Sequence, residues 1–161
     1  MISFKWCYVV LLLLMYETTS VFAVECGSNG CTLASLGCEV GMSDNYWVPE
    51  RYIECLKLNI TGPVHILDYP SDVRSITIRD NAITSFSTNE FDNIVNLTSL
   101  YLDNNKLDNL SPEQFKYNKL LTIIELNNNR LSSISPDQFK YNTLLTNLHL
   151  DYNKIDTISP E

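Results

Sequence analysis

Leu97-Thr98-Ser99-Leu100-Tyr101-Leu102-Asp103-Asn104-Asn105-Lys106-Leu107-Asp108-Asn109-Leu110 returns 24 residues later as Leu121-Thr122-Ile123-Ile124-Glu125-Leu126-Asn127-Asn128-Asn129-Arg130-Leu131-Ser132-Ser133-Ile134. The shared skeleton is apolar at five places with one fixed asparagine. It occurs once upstream, from Val73 through Ile76, Ile78, Asn81 and Ile83 to Phe86, and once downstream, from Leu145 through Leu148, Leu150, Asn153 and Ile155 to Ile158. A pattern held at constant spacing marks a solenoid, in which each unit buries its apolar face against its neighbours. Alternate residues of a short strand point to opposite faces. Leu100 and Leu102, with their counterparts, therefore face inward and the residue between them faces out.

Asn81, Asn105, Asn129 and Asn153 stand at one phase just past each strand. An amide both donates and accepts, so it can satisfy the backbone groups freed where the chain turns away. Stacked repeat upon repeat, the four are expected to form a structural ladder. The second half of the unit is as regular. Ser111-Pro112-Glu113-Gln114-Phe115 returns as Ser135-Pro136-Asp137-Gln138-Phe139 and begins again at Ser159-Pro160-Glu161. Serine before proline and an acid is a helix-start signal, so a short helical turn is expected opposite each strand. Phe91, Phe115 and Phe139 are expected to enter the core from that side. Near-identity of Phe115–Thr122 with Phe139–Thr146 points to duplication of one repeat.

The amino terminus reads as a leader. Lys5 precedes an apolar run centred on Leu11-Leu12-Leu13-Leu14, and Val21-Phe22-Ala23 is a small-residue cleavage site. Residues 1–23 are thus expected to be a signal peptide cut after Ala23. Later segments lack the ~18 or more consecutive apolar residues of a membrane span. Cys7 leaves with the leader. Cys26, Cys31, Cys38 and Cys55 cluster ahead of the first clear repeat, and an even cluster in a secreted chain reads as two disulfides with three possible pairings. Residues 24–72 are read as a cysteine-bearing cap that shields the first repeat. Residues 73–161 are read as about four repeats, the last incomplete. No paired Cys-x-x-Cys supports zinc as the alternative, and neither metal nor cofactor is expected. The fourth repeat stops within its helix start. It is read as either a fragment end or a face covered by a partner or a second copy, with self-association of Leu145, Leu148, Leu150 and Ile155 as one consequence.

Charge narrows the partners. The net charge is −8, which disfavours nucleic acid and anionic membranes. His65 and His149 lie in different modules. With no phosphate loop, zinc signature or nucleophile elbow in sight, the chain is not read as an enzyme. Binding is the better reading, and the repeat says where. One outward column is Thr77, Tyr101, Glu125 and His149, and the next is Arg79, Asp103, Asn127 and Asp151. Ser75, Ser99, Ile123 and Asn147 precede them. These positions vary while the lattice does not, as a recognition surface requires. Each taken singly also fits an ordinary solvated strand residue. Asn59-Ile-Thr61, Asn96-Leu-Thr98 and Asn109-Leu-Ser111 are N-glycosylation acceptor triplets, the last followed by Pro112.

The 24-residue repeat, the phenylalanine spine and the cysteine cluster ending in Ile66-Leu67-Asp68-Tyr69-Pro70 resemble extracellular leucine-rich-repeat proteins. Slit, the Toll-like receptor ectodomains and the small leucine-rich proteoglycans belong there. The irregular cap and asparagine-rich repeats look closer to secreted insect leucine-rich immune proteins. The resemblance implies an α/β horseshoe with a parallel concave sheet, short convex helical turns and a disulfide cap. It also implies protein or glycan recognition in immunity or adhesion, outside the cell or as the ectodomain of a longer receptor. A structural matrix protein is the alternative.

Overall fold

The computed structural model describes residues 24–25, 30–43 and 50–158. The expected leader at 1–23, Cys26 and Ser159-Pro160-Glu161 lie outside them. In chain order the elements are β1 (Val24–Glu25), α1 (Leu33–Leu36), β2 (Glu39–Met42), β3 (Arg51–Glu54), β4 (Ile60–Val64), β5 (Val73–Thr77), β6 (Ala82–Phe86), β7 (Ser99–Tyr101), β8 (Ile123–Glu125), β9 (Ser133–Ile134), β10 (Asn147–His149) and β11 (Thr157–Ile158).

The fold is a leucine-rich-repeat solenoid. Its main sheet has six strands in the order β10-β8-β7-β5-β3-β2. Five run parallel, one per coil, and β2 closes the end antiparallel to β3. Ile53, Ile76, Leu100 and Ile124 align across it and are fully buried, as are Ile78, Leu102 and Leu126 two residues on. Each such side chain gains ~1.5–3 kcal/mol on leaving water.

The parallel stacking begins one coil before Val73. Cys55 N donates to Thr77 O as Ile78 N donates to Tyr101 O, so Cys55 holds the inward place that leucine or isoleucine holds later. The boundary read at residue 72 therefore cuts through a continuous sheet. Cys55 bonds to Cys38, just ahead of β2, and pins the antiparallel edge onto the first coil. Gly41 makes that edge possible: a Cβ there would stand 2.5 Å from the Tyr52 ring lying across it. Cys31 is also disulfide-bonded.

On the convex side the expected helical turns take the form of successive i→i−3 bonds. Gln114 N to Ser111 O, Lys116 N to Glu113 O and Asn118 N to Phe115 O are repeated by Gln138, Lys140 and Asn142. Among the described residues the α-helix is α1 alone. A second parallel sheet, not foreseen from the sequence, runs β1-β4-β6, and β9 pairs with β11 further along. Phe91, Phe115 and Phe139 form a spine with ring centroids 6.0 Å apart at each step.

Asn81, Asn105, Asn129 and Asn153 make the same contacts in turn. Asn105 Nδ2 donates to Ile78 O and Leu102 O, Asn129 to Leu102 O and Leu126 O, and Asn153 to Leu126 O and Leu150 O. Their Oδ1 atoms accept from Ile83, Leu107 and Leu131 N. Asn81 spans the cap junction, donating to Cys55 O and accepting from Leu58 and Ile60 N. The residue before each ladder asparagine has φ of 55°, at Asp80, Asn104, Asn128 and Tyr152.

Candidate recognition face

The outer face of the main sheet is a lattice of rows. Glu39, Glu54, Thr77, Tyr101, Glu125 and His149 are paired in register across all six strands. Gly41, Tyr52, Ser75, Ser99, Ile123 and Asn147 form the parallel row beside it. Thr77, Tyr101, Glu125 and Asn127 are half-buried, and His149 and Asp151 are exposed.

Arg79 organises the centre. Its Nε lies 2.7 Å from Asp103 Oδ1 and its Nη2 lies 2.7 Å from Glu125 Oε2. Its guanidinium carbon sits 4.5 Å over the Tyr101 ring, a cation–π contact. One cation thus ties three coils and occupies two of the carboxylates read as outward contacts. Asp103 is only 6% exposed: Arg79 folds over it, so it supports the face rather than meeting solvent. Glu125 pairs with Arg79, so its partner is not the adjacent His149. The remaining carboxylates of the face are Glu39 and Glu54, directly opposite each other, and Asp151. The uncommitted charge of this surface is acidic.

The convex side carries polar ladders that sequence reading did not single out. Gln114 Nε2 donates to Ser87 O and Gln138 Nε2 to Ser111 O. Asn118 Nδ2 donates to Phe91 O and Ile94 O, and Asn142 Nδ2 to Phe115 O and Asn118 O. Thr98, Thr122 and Thr146 hydroxyls donate to the carbonyl one coil back. Their 24-residue recurrence was visible, but recurrence alone does not distinguish a buried amide from a solvated one.

At the phase of those glutamines the first full coil has Glu90. Its Oε1 accepts from Ile66 N at 2.7 Å, and its Oε2 lies 2.8 Å from both Ser87 Oγ and His65 Nδ1. Serine and glutamate meet the same imidazole nitrogen, so the three do not form a relay across both ring nitrogens. Tyr69 lies beside them with its hydroxyl shut away from solvent and without a well-formed hydrogen bond. Burial raises its phenol well above the ordinary 10.0, and the Glu90 charge adds to the shift. A shallow pocket of about 250 Å³ opens here between His65, Tyr69, Asn89 and Asn93.

Of the acceptor triplets, Asn109 is exposed. Asn96 is half-exposed and on the rim before β7. Asn59 lies between two backbone amides held by Asn81, with φ of 54°. Among the described residues no helix is long and apolar enough to cross a membrane.

Coiled repeats, an asparagine ladder and a variable sheet face together make the leucine-rich-repeat fold. A family model described as leucine rich repeat matches residues 95–155. Among solved structures the chain is similar to the leucine-rich repeat domain of APL1B, with 31% identity and a TM-score of 0.56. The similarity covers 59% of this chain and 29% of that one, so the chain spans less than a third of its solved relative. No curated protein matches it.

Proposed function

We propose that this chain is an extracellular recognition module that reads a protein or protein-borne glycan on the outer face of its main sheet, in defence or adhesion. The observation that carries the reading is the register-aligned row Glu39, Glu54, Thr77, Tyr101, Glu125 and His149. Inward neighbours repeat, whereas this row changes chemistry at nearly every coil. Tyr101 is its anchor: an aromatic half-buried under the Arg79 guanidinium. Disulfides in the cap and the leader-like amino terminus support an oxidising, secretory route.

The test is retention of partners from extracellular fluid of the source tissue by three immobilised forms. The wild type and a Lys116→Ala/Lys140→Ala variant of the convex side are expected to retain the same protein. Tyr101→Ala with His149→Ala is expected to lose it while melting near the wild-type temperature, because Arg79 keeps both carboxylates. Loss on the convex variant, with retention by the sheet variant, would place recognition on the other side.

A further inference from the structure

The rim ahead of the main sheet carries a row at positions 96, 120 and 144, polar at its head and apolar at Leu120 and Leu144. Its stacking is fixed from both sides. Asn142 donates to Asn118 O and Asn118 to Ile94 O, each at 2.9 Å. Thr146 donates to Thr122 O and Thr122 to Thr98 O, each at 3.1 Å. Between these bonded rows, residue 96 stands beside 120 and 120 beside 144, about 4.8 Å per step. Leu120 is 38% exposed, Leu144 51% and the neighbouring Val95 50%. Adjacent exposed apolar groups call for a covering partner in a way that scattered ones do not.

The head of this row is an asparagine, and Asn96-Leu97-Thr98 is a glycosylation acceptor triplet. The Asn96 amide faces solvent, with one long contact of 3.3 Å to Ser71 O. A glycosylated amide keeps one N–H, so that contact can persist.

We propose that Asn96 carries an N-linked glycan whose first sugars lie over Val95 and Leu120. The proposal rests on the secretory route argued above. The donor is a lipid-linked oligosaccharide diphosphate. The bond from sugar C1 to Asn96 Nδ2 forms, the sugar–phosphate C–O bond breaks, the amide gives up one proton, and the lipid diphosphate leaves. Sugar rings have apolar C–H faces and polar edges, so they cover the side chains of Val95 and Leu120 and return a wet surface. Asn96 precedes Ser99 of β7 and stands at the rim. The glycan therefore borders the recognition face without crossing it.

The full chain is expressed in secreting animal cells, and again with residues 1–23 replaced by a proven leader. Secretion and site occupancy are then read separately. Peptide-N-glycosidase in heavy-oxygen water is expected to label the Asn96 peptide of the secreted protein. Trimming to a single N-acetylglucosamine should leave binding of an apolar dye unchanged, whereas complete removal should raise it by roughly twofold or more. Leu120→Ser should abolish that rise. An unlabelled Asn96 in secreted protein overturns the site. Dye binding that stays flat after complete removal overturns the shield. Sedimentation of the stripped protein then tells whether a second copy covers the row instead.

Discussion

At Asn129 one carboxamide satisfies three backbone groups. Its Nδ2 donates to Leu102 O and Leu126 O, and its Oδ1 accepts from Leu107 N, each at 3.0 Å. Asn129→Ala leaves Leu107 N without its acceptor and takes one of two ladder donors from Leu102 O and Leu126 O, which keep Asn105 and Asn153; a buried unsatisfied group costs ~1–3 kcal/mol. Asn127 lies two residues away on the outer face, where truncation is worth within about ±0.5 kcal/mol. Thermal melts of the two variants should therefore separate clearly, with Asn129→Ala melting several degrees lower. Equal shifts would remove the ladder from the stability argument. The asparagines were legible in the sequence because they share the phase of the leucines. Asn118, Asn142, Gln114 and Gln138 recur as strictly, yet a polar residue on a turn reads as solvated until the neighbouring carbonyl is seen beneath it. Asp103 misled in the opposite way: its outward phase is right, but Arg79 covers it.

Among the elements, the strands were legible from alternation and the convex turns from Ser-Pro-acid. The second sheet was not, because Ala82–Phe86 and its counterparts lack a repeated two-residue alternation. The loop from His65 to Pro70 was legible only as a cap ending, although it is the joint between cap and coils. Cys31 N donates to His65 O, Leu67 N to Cys31 O, Leu33 N to Asp68 Oδ1, and Ile66 N to Glu90 Oε1. Tyr69 seals this joint, 6.2 Å from Phe91 between ring centres. Its phenol is raised above 10.0, first by burial and then by Glu90. A group whose folded value is raised contributes stability below its unfolded value, and that contribution fades as pH climbs toward the folded one. Alkaline weakening from this residue therefore sets in above pH 10. Tyr69→Phe removes the ionisation together with a buried hydroxyl that lacks a good partner. In urea titrations the variant should match or exceed the wild type at neutral pH and pull ahead of it above pH 10. A constant gap across that range would mean the phenol does not titrate within the fold.

For the whole molecule, stability is a sum of coils and of the interfaces between neighbouring coils. The phenylalanine spine is where those interfaces can be tested. Phe115 is fully buried and stacks on Phe91 at 6.0 Å and on Phe139 at 6.0 Å. Phe115→Ala should cost ~3–5 kcal/mol, because the cavity adds to the lost transfer energy. Phe139 is only partly buried, so Phe139→Ala should cost less. The more telling readout is cooperativity. The ladders of Asn105, Asn129 and Gln138 carry hydrogen bonds across the coil that Phe115 anchors. Weakening one interface in a nearest-neighbour chain splits it into two blocks. The block from the cap to β7 keeps its disulfide and the Glu90 joint, whereas the block from β8 onward keeps neither. Native-state hydrogen exchange should then show one protection level for Leu100 and Ile124 amides in the wild type. In Phe115→Ala the Ile124 level should fall by more than the Leu100 level. A fall of equal size at both would mean that the molecule unfolds as one unit even with its spine cut, and that coupling reaches past adjacent coils.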